Sequence, residues 1–78
     1  FETSEVAIYP NPFFSELYIS GIHANQAQAK IYNELGQLMD APKIQGNRLE
    51  VNPQLASGFY VLQWMHDGQI MTQKIYKL

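Results

Sequence analysis

The side chains able to do chemistry in this 78-residue chain are few and scattered. Histidine, the usual base or metal ligand near neutral pH, occurs at His23 and His66. The two lack the i, i+2 or i+4 spacing of a ligand pair and fall in different turns, where solvated loop histidines are expected. Cysteine is absent, so neither a thiolate zinc site nor a disulfide can form. Ser4, Ser15, Ser20 and Ser57 stand in turn sequence, and none lies in the G-x-S-x-G elbow of a hydrolase. Glu16, Glu34, Asp40, Glu50 and Asp67 are spread over solvent faces and turns, with no pair committed to acid–base work. Five lysines and arginines are too few for a nucleic-acid surface. Trp64 beside Tyr60 could make a sugar-stacking platform, but a mid-strand tryptophan more often anchors the core of a small sandwich. Gly36, Gly58 and Gly68 are isolated turn glycines and not a phosphate loop. These residues point away from an enzyme and from any cofactor.

What the chain does specify is a frame of short strands, organised around Tyr9-Pro10-Asn11-Pro12-Phe13. Two prolines fix φ near −65° and remove two backbone donors, so the tract is neither helix interior nor central strand. It reads as a rigid corner, with the Asn11 amide left to bond backbone. Strands are expected over 6–9, 16–20, 28–33, 37–40, 48–52, 59–66 and 69–78. Period-two alternation turns Leu17 and Ile19, Ala29 and Ile31, and Leu49 and Val51 inward. Leu55 is expected to plug the core from a loop. The 59–66 run is apolar on both faces, Tyr60, Leu62 and Trp64 on one and Phe59, Val61 and Met65 on the other, which predicts a central strand covered in part on each side. Asn33-Glu34-Leu35-Gly36, Gln45-Gly46-Asn47 and Asp67-Gly68 are turn signals, the last a two-residue hairpin. The parity of the final run is mixed, and a bulge would reconcile Met71 and Ile75 with Tyr76 and Leu78.

Turns every 8–12 residues and no helical period predict an all-β domain, a seven-stranded antiparallel Ig-like β-sandwich, with an SH3-like or OB-type barrel as the structural alternative. Hydrophobic residues make up 46% of the chain, enough for a core, in one small domain. No apolar run reaches the roughly 18 residues of a membrane helix, so direct membrane insertion is not expected. The chain starts without a basic or apolar leader, as a fragment would, or a protein whose export signal lies elsewhere. Net charge is −2, with all seven carboxylates before residue 69 and Lys74 and Lys77 after it. A basic end on an acidic body reads either as an interaction tail or as lysines that blunt an edge strand.

Taken in order, Tyr9-Pro10-Asn11-Pro12, Leu17-Tyr18-Ile19, Ala29-Lys30-Ile31-Tyr32-Asn33 with Gly36, Leu49-Glu50-Val51 with Leu55, Gly58-Phe59-Tyr60-Val61-Leu62 and Lys74-Ile75-Tyr76-Lys77-Leu78 form a recognisable series. It resembles the type A C-terminal sorting domain of cargo proteins of the type IX (Por) secretion system, over nearly the whole chain. The resemblance implies residues 1–5 as the end of a linker from an upstream cargo domain and 6–78 as the sorting domain. It implies a non-catalytic tag that directs an exported cargo through the periplasm to the outer-membrane surface or the medium. The implied partners are the type IX translocon, its outer-membrane shuttle protein and a sortase-like cysteine peptidase that cuts before the domain and commonly anchors the cargo. Translocon recognition falls by resemblance on Lys74, Ile75, Tyr76, Lys77 and Leu78, and family turn and motif roles on Tyr9, Pro10, Asn11, Pro12, Gly36, Gly58, Tyr60 and Gly68. Asp40 and Pro42 depart from the family pattern and predict a short fourth strand. The rival class is an Ig-like or fibronectin-like accessory module that holds carbohydrate or protein.

Overall fold

A computed structural model describes residues 7–20, 28–66 and 68–78. Alternating apolar residues on short runs bounded by turn formers yield seven antiparallel strands and no helix among these residues. They are β1 (Ala7–Tyr9), β2 (Glu16–Ser20), β3 (Lys30–Tyr32), β4 (Leu38–Asp40), β5 (Arg48–Glu50), β6 (Gly58–His66) and β7 (Gln69–Lys77). They form two sheets, ordered β1-β2-β5 and β4-β3-β6-β7. The fold is consistent with an Ig-like sandwich. Val6, the 1–5 segment, the 21–26 connection with His23, and Asp67 lie outside the described residues.

Leu17, Ile19, Ile31, Leu49, Val51, Leu62 and Ile75 face one another across the sandwich, buried, with Tyr60 and Trp64 beside them. Leu55 packs against this cluster, as expected. Phe13 and Ile44, which carry no strand periodicity, are equally buried from loop positions. The Tyr60 hydroxyl donates to the Ala56 carbonyl at 2.7 Å, four residues upstream, so the ring is buried without orphaning its oxygen. His66 pairs with Gln69, the register that the hairpin signal requires, and Gly68 holds φ at 76°. At the β3–β4 turn the Asn33 Oδ1 accepts the N–H groups of Leu35 and Gln37, both at 2.9 Å. Gln45 and Arg48 close a tight turn as the hairpin signal implied, but β4 pairs with β3 and β5 with β2, so this turn leads from one sheet to the other.

Three expectations need correction. The strand at 59–66 is central, between β3 and β7, yet it is covered on one face only: Phe59, Val61 and Met65 are exposed. The final strand contains no bulge. Its pairing with β6 is continuous from Gly58↔Lys77 to His66↔Gln69, and the irregularity sits between Ile31 and Tyr32 instead. Its inward face is the odd series Met71, Ile75 and Lys77, so Lys77 is a buried residue and not an edge-blunting charge.

Candidate functional site

The proline-bracketed asparagine meets the last strand. Both prolines follow cis peptide bonds. The Asn11 side chain lies along the outer edge of β7 and supplies what a neighbouring strand would. Its Oδ1 accepts the Tyr76 N–H at 2.9 Å, and its Nδ2 donates to the Lys74 carbonyl at 3.3 Å. Phe13 continues the pairing through its backbone: its N–H donates to the Tyr76 carbonyl at 3.0 Å and its carbonyl accepts the Leu78 N–H at 2.8 Å. This is a parallel bridge between Phe13 and Lys77, and the buried Phe13 side chain anchors it in the core. The corner predicted from Pro10, Asn11 and Pro12 is therefore also a cap on the edge of residues 74–78. The free amide of Asn11 was legible in sequence; its partner, more than sixty residues away, was not.

The five candidate recognition residues divide by the pleat. Ile75 and Lys77 point inward, and the Lys77 Nζ donates to the Leu78 carbonyl at 3.2 Å. Lys74 is exposed, with its Nζ 4.5 Å from the centroid of the Phe59 ring, a cation–π contact. Tyr76 meets the same ring edge-on, centroids 4.8 Å apart at 63°. Leu78 is exposed.

Of the other motif positions, Gly58 and Tyr60 pair with Lys77 and Ile75 of this strand, while Tyr9 belongs to the other sheet. Tyr9 stacks on Tyr18, centroids 5.6 Å apart and planes 22° apart, on the three-stranded sheet. Gly36 (φ 83°) and Gly58 (φ 146°) hold backbone that side chains disfavour. Beside Tyr18, the Arg48 guanidinium bonds the Glu16 carboxylate and reaches that of Glu50 at 3.1 Å. The Tyr18 hydroxyl donates to Glu16, which with the adjacent carboxylate charge raises the phenol pKa. The same Glu16 contact, with the Glu50 charge, raises that of Arg48. These charges satisfy one another. Among the described residues no group of three or more His, Asp or Glu could hold a metal. Trp64 is 3% exposed, so the sugar platform is part of the core.

The family model described as a secretion system C-terminal sorting domain matches residues 7–77. No curated protein matches the chain significantly. Sorting domains of that family are non-catalytic signals for type IX secretion, carried by proteins exported to the cell surface or the extracellular space. A match from the first strand to the end of the last does not favour an accessory binding module; the chain belongs to the secretion-system C-terminal sorting domains.

Proposed function

We propose that the domain is a type A sorting tag, residues 6–78, joined by residues 1–5 to a larger cargo, and that the translocon reads the 74–78 segment. The domain performs no chemistry itself. The outer-membrane shuttle protein meets it with the translocon, and the sortase-like peptidase cuts before it and anchors the cargo at the surface. The observation that carries this reading is the family match over 7–77, which takes in every strand. Exposure of Lys74 on the last strand, and of Leu78 just beyond it, agrees with this reading.

A test fuses a reporter with an N-terminal export signal ahead of Phe1 in a bacterium that has this secretion system. The reporter should reach the surface, and Lys74→Glu should hold most of it in the periplasm. Lys77 is a poor choice for the same reversal, because its side chain is buried and the change would disturb packing. A wild-type fusion that stays periplasmic would overturn the sorting role. Undiminished delivery by a folded Lys74→Glu domain would remove Lys74 from the signal.

A further inference from the structure

Resting on that sorting role, we propose that the domain is recognised through the outer face of the four-stranded sheet and not by strand addition to its edge. The partner is a protein of the secretion machinery that sets carboxylates around an apolar patch. Strand addition needs unpaired backbone groups along an edge. On residues 74–78 four of those groups are occupied: the Lys74 carbonyl, the Tyr76 N–H and carbonyl, and the Leu78 N–H all bond Asn11 or Phe13. Ile75 and Lys77 point into the sandwich. What the strand still shows a partner is its outward side chains, and these do not stand alone.

The register sets Tyr76 beside Phe59, Lys74 beside Val61, and Ile70 beside Met65; Val61 in turn pairs with Tyr32. Phe59 (45%), Met65 (48%) and Ile70 (63%) are exposed, as are Val61 and, at the β4 margin, Leu38. Contiguous exposed apolar side chains of this kind mark an interaction surface, with aromatic residues at its centre and charge at its rim. The charge has one sign. Of the four strands, β3 and β7 carry lysines and no acid, β6 carries neither, and the carboxylate of Asp40 on β4 is held by the Ala41 and Asn52 N–H groups, although the chain as a whole is acidic. Lys30 and Lys74 are exposed, and among the described residues the ion pairs belong to Arg48 on the other sheet. Two ammonium groups beside an apolar strip complement carboxylates and would repel a basic surface. They are too few to hold a phosphate backbone.

The reporter fusion separates this proposal from the sorting role, because wild-type delivery tests the role and the variants test the face. Lys30→Glu with Lys74→Glu, and separately Phe59→Thr with Val61→Thr, should each lower surface delivery at least tenfold in domains that melt cooperatively. Lys74→Met keeps the stem on Phe59 without its charge and should give a smaller loss. Lys43→Glu, a reversal on an exposed residue outside the four strands, should leave delivery unchanged. Normal delivery by both folded double variants would overturn the proposal while leaving the sorting role standing. So would a several-fold gain from Asn11→Ala, which uncaps the edge. Binding of the purified domain to anionic phospholipid vesicles that the face variants abolish would assign the face to a membrane and overturn it as well.

Discussion

Asn11 joins the two ends of the chain with one side chain. Each of its two hydrogen bonds to β7 is a neutral one, so Asn11→Ala should cost about 1–3 kcal/mol and speed amide exchange at Tyr76, whose N–H it covers. Asn11→Asp keeps the acceptor for Tyr76 but faces the Lys74 carbonyl with a second acceptor, and it should recover only part of the loss. Equal exchange at Tyr76 in all three proteins would show that the edge is protected by something else. Tyr18 offers a pH test on the opposite sheet. Its pKa is raised because ionisation would end its hydrogen bond to Glu16 and set two negative charges together. A raised folded pKa means the contribution to stability is complete below the ordinary phenol range and is lost as pH rises through the folded value. Ultraviolet titration should therefore lose a late-titrating tyrosine in Tyr18→Phe; an unchanged curve would sink the assignment. Strand parity alone puts Glu16 and Tyr18 on one face, whereas the partners of Asn11 depend on long-range closure and leave no trace in the sequence.

At the scale of elements, the strands were legible wherever alternation met turn chemistry. Leu17 and Ile19 in β2, the β6 run and the Asp67-Gly68 hairpin signal needed no tertiary information. The mixed parity of β7 misled because Lys77 was read as a solvated charge. In the structure its stem packs inward and its ammonium finds the Leu78 carbonyl, so a long charged side chain occupied a position that looked closed to it. Phe13 and Ile44 escaped notice because a residue outside a periodic run gives no face signal. Their burial carries a cost if lost. Phe13→Ala should destabilise by about 3–5 kcal/mol and Leu62→Ala by about 2–5 kcal/mol, measured by chemical denaturation. Phe13→Ala should also loosen the bridge to Lys77, so its exchange at Leu78 should rise where that of Leu62→Ala stays native at matched stability. A Phe13→Ala variant as stable as wild type would show that the ring adds nothing to the sandwich.

For the molecule as a whole, a 78-residue chain without disulfides buries a modest share of its surface and has little stability to spare. The sequence placed the family but left the order of strands open, since periodicity gives faces and not neighbours. That order matters for how the tag is tested. Removing residues 76–78 looks like trimming a free end, yet it deletes the Tyr76 N–H, the Tyr76 carbonyl and the Leu78 N–H that close the sandwich against Asn11 and Phe13. It also removes the buried Lys77 stem. Three lost hydrogen bonds are worth about 2–4 kcal/mol. In a domain of this size that lowers the melting temperature by about 10–30 °C. The single tryptophan, Trp64, is buried and reports the transition directly through its emission. The truncated domain should melt well below wild type by Trp64 fluorescence and by circular dichroism together, and any loss of export by it would reflect unfolding as much as a missing signal. A truncated domain that melts at the wild-type temperature would show that the closure is dispensable, and its export would then read the end segment alone.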